Sequence, residues 1–260
     1  MEIIDAYLHC GLTKFKPVED VRRVMDAAGV SRAVIVQHLG EFDNAYIGGI
    51  IRDDPARFAG VGLVDHSAPD WPDALARLAG AGFKGLRLTA DTLTGAPGVW
   101  RAAADAGLIL VVYAPQGVAG ALGPMREFLE DRPHCSLVLT HLGNPAIGAA
   151  PEFTNDKQVM ALARYPGVRY QISGMAMFCP YPHAELHPLV RAAFDRFGAA
   201  RLLWGSNYPV VGGEPDYRRD LGLVLDGKLP VPADVIPAVA GGNALKLWFA
   251  SGGQSAAERT

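Results

Sequence analysis

The chain has 260 residues, half of them apolar and a fifth charged, with a net charge of -3. That is globular composition, and the charge supplies no field to gather nucleic acid or anionic lipid. No apolar run approaches the roughly 20 residues that span a bilayer, and "MEIIDAYLHC" has no basic region before its apolar part. A soluble cytoplasmic protein is therefore expected, with a small molecule rather than nucleic acid or a membrane as its partner and homo-oligomerisation left open.

Short β-rich runs recur at 3–9, 33–37, 59–64, 83–88, 108–113, 136–141, 168–172 and 202–206. Segments of helical spacing lie between them, such as 17–28 and 71–81. In the second, "DALARLAGAG" carries Leu75, Leu78 and Ala79 at i, i+3 and i+4 and stops at glycine. Apolar runs without clean alternation suit strands buried on both faces, and repeated βα units of roughly 25–35 residues predict a parallel sheet closed as an α/β (β/α)8 TIM-like barrel. A doubly wound open sheet is the alternative. No Pro/Gly/Ser-rich linker interrupts the alternation, so residues 1–251 read as one domain and 252–260, "GGQSAAERT" at its end, as a loose tail. The long stretches 144–156 and 175–187 follow strands at the end where a barrel builds its site, and "MAMFCPYPHAELH" reads as an ordered wall or lid.

Cys10, Cys135 and Cys179 are odd in number and widely spaced, which proposes neither a disulfide framework nor a metal knuckle. The polar residues that end the apolar runs are more informative: Tyr7 and His9, Gln37 and His38, Asp65 and His66, Arg87, Tyr113, His141, Ser173 and Asn207. Each alone has a mundane structural explanation. A polar group at the edge of a packed core costs a few kcal/mol unless hydrogen-bonded, and in a barrel these strand ends converge on one mouth, so together they mark a candidate site. His183, between Pro182 and the helix that follows the seventh strand, could reach that site from above or be a solvated loop residue.

"IIDAYLHCG", "GFKGLRL", "LVLTHLGNP", "FGAARLLWGSNYP" and "GGNALKLW" resemble, in order and spacing, the successive signatures of the amidohydrolase-related group, the branch of the amidohydrolase superfamily with sugar lactonases, 2-pyrone-4,6-dicarboxylate lactonase and metal-dependent decarboxylases. The resemblance implies a distorted (β/α)8 barrel. The departures carry as much information. The family's opening Asp-x-His-x-His is here Asp5-Ala6-Tyr7-Leu8-His9, the fifth-strand histidine is Tyr113, and the eighth-strand Gly-Ser-Asp-Tyr-Pro reads Gly205-Ser206-Asn207-Tyr208-Pro209. Only His9 and His141 remain as good ligands, whereas a catalytic zinc takes three protein ligands. No metal is expected, with zinc through His9 and His141 as the alternative.

The pyrone dicarboxylate lactonase branch is similar in having tyrosine at the fifth-strand position, and it hydrolyses without metal. That resemblance implies a metal-independent hydrolase opening a lactone or related cyclic carbonyl in a small carboxylate-bearing molecule. His9 and His141 would polarise the carbonyl, with Tyr7, Tyr113 and Asn207 beside them. Arg87 would hold a carboxylate bidentately, and Gln37, His66, Ser173 and His183 would complete the binding surface. Asn207 has no basic group and cannot replace an Asp general base. Either it is an isosteric, inactivating replacement of Asp or it is the native group of a site that works differently. Rival readings are a metal-dependent decarboxylase and an inactive metabolite-binding barrel.

Overall fold

A computed structural model describes residues 1–250; the expected tail, 252–260, lies outside the described residues. Eight parallel strands form one sheet in sequential order: β1 (Ile4–Leu8), β2 (Arg32–Val36), β3 (Phe58–Gly62), β4 (Gly85–Thr89), β5 (Ile109–Tyr113), β6 (Leu137–Leu139), β7 (Val168–Ser173) and β8 (Leu202–Gly205). Helices alternate with them: α1 (Val18–Ala27), α2 (Ala45–Asp53), α3 (Trp71–Gly80), α4 (Thr92–Gly95), α5 (Pro97–Asp105), α6 (Leu122–Asp131), α7 (His187–Phe197) and α8 (Glu214–Leu225). This is the predicted (β/α)8 barrel, with all eight strands within two residues of where the β-rich runs place them. Among the described residues no helix is long and apolar enough to cross a membrane.

The strands are apolar because both of their faces are covered. One set of side chains, including Val34, Val36, Ala59, Val61, Val111 and Leu203, fills the barrel axis, while the alternate set packs under the helices. Trp248 enters this inner core. A Cβ at Gly85 would lie 2.8 Å from the Ile109 carbonyl and 3.3 Å from the Trp248 ring, so only glycine leaves room there. Arg87 follows two residues later on the same strand, and so on the same face but nearer the C-terminal mouth.

Two irregularities shape that mouth. The β1–β2 register slips between Asp5 and Leu8, three residues of β1 matching two of β2, which is a bulge of one extra residue. Across β8 and β1 the closure is made beyond the end of β8: the Asn207 N–H donates to the Tyr7 carbonyl and the His9 N–H to the Tyr208 carbonyl, both at 2.8 Å. The buried Asp5 carboxylate ties the same seam, its Oδ1 accepting from Ser206 N at 2.9 Å and Tyr7 N at 3.1 Å.

Candidate active site

Tyr7 sits at the centre of the mouth. Its ring meets His9 edge-on at 5.2 Å and His141 edge-on at 4.6 Å, and the Arg87 guanidinium lies 5.9 Å from its centroid. Arg87 is also 5.5 Å from the ring of Tyr113, which stands 5.7 Å from His141. Four strands, β1, β4, β5 and β6, thus bring Tyr7, His9, Arg87, Tyr113 and His141 together. All are buried except Tyr113, which is half-buried.

Hydrogen bonds fix the state of both imidazoles. His9 Nδ1 is 2.6 Å from the Val36 carbonyl, which can only accept, so the proton is on Nδ1 and Nε2 carries the lone pair. Phe15 stacks on the same ring at 4.7 Å. His141 leaves the sheet at φ 52°, in the left-handed region, which is why β6 ends two residues earlier than its apolar pattern suggests. There its backbone N–H and Nδ1 both face Ser173 Oγ, at 3.1 and 2.9 Å. The Ser173 hydroxyl points to Gln171 Oε1 at 3.3 Å, and Gln171 donates to the Ala6 carbonyl at 3.0 Å. With its own proton directed to Gln171, Ser173 accepts one from His141 Nδ1, and again Nε2 is left as the acceptor.

Both rings are held neutral. Burial, aided by the Arg87 charge, pushes His141 down to about 3 and His9 well below the ordinary histidine value. Burial raises the Tyr7 phenol, with Arg87 opposing, so its hydroxyl stays protonated and available as a donor. That hydroxyl has no partner among the described residues, and neither has the buried Nε of Arg87.

Arg87 is the least compensated group. Its Nη1 donates to the Gln37 carbonyl at 2.8 Å, and among the described residues no carboxylate pairs with it. A buried ion without a counter-ion carries an effective penalty of several kcal/mol.

Asn207 also adopts a left-handed conformation, φ 58°, which asparagine tolerates better than most residues. Its Nδ2 donates to Met177 Sδ at 2.9 Å, leaving the buried Oδ1 unpartnered. Gly174 brings the two sides together: a Cβ there would lie 2.9 Å from His141 Nδ1, 3.0 Å from Met177 Sδ and 3.1 Å from Asn207 Nδ2, and its φ of 62° independently favours glycine.

The remaining predicted residues are placed differently. Gln37 uses its side chain to shape the loop after β2, donating to the Asp43 carbonyl at 2.8 Å and accepting from His38 N at 3.0 Å; its backbone carbonyl is what touches Arg87. His66 is exposed on the loop after β3. His183 is fully buried, not solvated, with Nδ1 2.8 Å from the Cys179 carbonyl and Nε2 3.5 Å from Asp220. Four residues of the site were not singled out from sequence: Asp5, Phe15, Gln171 and Met177. Gln171 had a signal, since it shares a strand face with Ser173 by the period of two; a thioether in a loop had none.

As a metal centre the donor set does not fit. Among the described residues no group of three His, Cys, Asp or Glu side chains is placed to hold an ion. The two imidazole Nε2 atoms have only phenols and a carboxamide for company, whereas zinc sites use three His, Cys or carboxylate ligands.

The chain is 30% identical over 207 residues to an L-fucono-1,5-lactonase of Burkholderia ambifaria, covering 74% of this chain and 69% of that protein. Among solved structures, a probable 2-pyrone-4,6-dicarboxylic acid hydrolase from Acinetobacter baumannii with citric acid bound superposes with a TM-score of 0.75, at 17% identity, over 95% of this chain and 99% of the other. A Burkholderia multivorans amidohydrolase with bound zinc gives a TM-score of 0.77 at 20% identity, over 95% of this chain and 99% of the other. The amidohydrolase family model matches residues 7–250, nearly the whole chain, and the protein belongs to that family.

Proposed function

We propose that this barrel is a metal-independent hydrolase that opens a lactone, or a related cyclic carbonyl, in a small molecule bearing a carboxylate. The observation that carries the reading is Arg87, a buried guanidinium that among the described residues has a free Nε and no counter-ion. A carboxylate is its natural complement in shape and charge. A neutral sugar lactone would offer it only hydroxyls, so although the lactonase from Burkholderia ambifaria is the sequence relative, the anionic substrate class named for the Acinetobacter baumannii hydrolase suits this pocket better.

The tautomers support a division of roles. Lone pairs at Nε2 suit His9 and His141 to accepting protons, which favours that role over the carbonyl polarisation expected of them from sequence. The Tyr7 hydroxyl and the Arg87 guanidinium are the donors that face the same space. In the proposed reaction an imidazole Nε2 takes a proton from water as the water oxygen bonds to the lactone carbonyl carbon. Tyr7 stabilises the resulting oxyanion, while Arg87 holds the substrate's carboxylate. The ring C–O bond then breaks, and the leaving oxygen recovers the proton from the imidazolium, giving the hydroxy acid. A buried imidazole is a weak base, so the uncorrected site is slow, and Asn207 is the position at which a stronger base fits.

Hydrolysis of 2-pyrone-4,6-dicarboxylate and of L-fucono-1,5-lactone, followed by proton release, tests this directly. Asn207→Asp is expected to raise turnover of the dicarboxylate by at least about 10²-fold, the worth of a positioned general base, with little change in binding. If neither the parent nor Asn207→Asp exceeds the buffer rate on any carboxylated lactone while the substrate still binds, the lactonase reading fails.

A further inference from the structure

The loop 174–186 touches the mouth at one end and α8 at the other. At the inner end Met177 Sδ accepts from Asn207 Nδ2 at 2.9 Å. At the outer end two consecutive residues of α8 grip two residues of the loop. Asp220, itself buried, faces His183 Nε2 at 3.5 Å, and the Arg219 guanidinium lies 4.6 Å over the Tyr181 ring while its Nε is 3.7 Å from Asp220 Oδ1.

The two ends are mechanically joined. His183 Nδ1 donates to the Cys179 carbonyl at 2.8 Å, and Cys179 is two residues from Met177. Between them run tight turns: Met177 N to the Gly174 carbonyl at 2.9 Å, Phe178 N to the Met175 carbonyl at 3.0 Å and Cys179 N to the same carbonyl at 3.3 Å. A short, hydrogen-bonded path therefore links His183 to Met177. A loop that merely needed covering would be packed by apolar side chains. Burying a carboxylate against it is costly unless the carboxylate is paired, and here Arg219 Nε, 3.7 Å away, supplies the charge while the loop's His183 packs against it.

We propose that Asp220 and Arg219 are positioning residues: by clasping His183 and Tyr181 they set how deeply Met177 sits over Asn207, and so the aperture through which a ligand reaches Arg87 and the imidazoles. Neither is a catalytic residue, because neither touches the mouth. Met177 is 38% exposed, as a side chain at an entrance should be. The effect on ligand retention rests on the reading of the mouth as a carboxylate site; the effect on Met177 does not.

The test uses the full chain labelled with methyl-13C methionine, the Met177 resonance being assigned by its loss in Met177→Leu. Citrate is the ligand probe, and its dissociation rate is measured by stopped flow. Asp220→Ala and Arg219→Ala should each move the Met177 resonance and raise the citrate dissociation rate at least threefold, with Asp220→Glu returning both towards the parent values. A structural role alone would lower the melting temperature and leave the resonance in place, and an unmoved Met177 resonance in folded Asp220→Ala and Arg219→Ala overturns the proposal. Arg219 is 42% exposed on its side chain, so Arg219→Ala decides the matter if Asp220→Ala does not fold. Should citrate fail to bind the parent, the carboxylate reading falls and the Met177 resonance still decides the clasp.

Discussion

Asp5→Asn should stabilise the protein at neutral and alkaline pH, although Asp5 ties together the two strands that close the barrel. Its Oδ1 accepts from Tyr7 N and Ser206 N, and an amide oxygen can accept both bonds in the same positions. Its Oδ2 is buried close to the Tyr217 hydroxyl, and neither atom has a well-formed hydrogen bond among the described residues. Burial raises the carboxyl from 3.8 to about 6, against the hydrogen bonds that hold it down. A carboxyl whose folded value exceeds its unfolded one favours the folded state below the unfolded value and loses that contribution as pH rises through the folded value. A rise of roughly two units is worth about 3 kcal/mol, lost almost completely by pH 8 and by about half at pH 5. Asp5→Asn has no such loss. In urea unfolding it should gain up to about 3 kcal/mol over the parent at pH 8 and roughly half as much at pH 5. The change with pH is the diagnostic part, because any altered hydrogen-bond strength contributes equally at both values. A difference between variant and parent that stays flat from pH 5 to pH 8 would refute a raised Asp5 carboxyl.

Arg87→Met should weaken citrate binding by about 2–4 kcal/mol, the range for breaking a desolvated charge pair, with Arg87→Lys restoring only part because a point charge does not reproduce the bidentate fork. Calorimetric titration measures this, and a sharp fall in melting temperature with binding intact would instead make Arg87 a fold residue. Protein purified without chelator should contain well under one equivalent of zinc, manganese or iron by elemental analysis; a full equivalent that chelator removes together with activity would overturn the metal-free reading and favour decarboxylase-like chemistry.

The barrel was legible because its cause is local. Runs such as Ala33–Val36 and Ile109–Val112 are buried on both faces, and that requirement writes an unbroken apolar string into the sequence. Strand ends were legible for the same reason, since Tyr113 and Ser173 are polar where the string has no need to stop, whereas Arg87 lies in the middle of β4, which runs on to Thr89. What a string does not record is which atom of a side chain is already committed. Gln37 ends β2 as a binding residue would, but its amide is spent on Asp43 and His38, and only its backbone meets Arg87. His183 looked free to reach a ligand or water, but its pairing with Asp220 bridges 37 residues of sequence, a separation that no local pattern encodes.

Asn207 combines both limits. Its place in the mouth follows from Gly205-Ser206 and Pro209, which turn the chain out of β8, and the structure puts it there, at the seam with Tyr7. Its orientation depends on Met177, thirty residues away, which takes the amide N–H and leaves Oδ1 buried with no partner among the described residues. The position therefore keeps the accepting half of a carboxylate and lacks its basicity. In the proposed reaction proton acceptance passes to His9 and His141, whose Nε2 atoms are left with lone pairs because Val36 and Ser173 hold the opposite nitrogens. The same burial that holds those rings neutral makes them weak bases, and a carboxylate at 207 would supply the strength they lack at the cost of the hydrogen bond to Met177 Sδ, which would have to draw back.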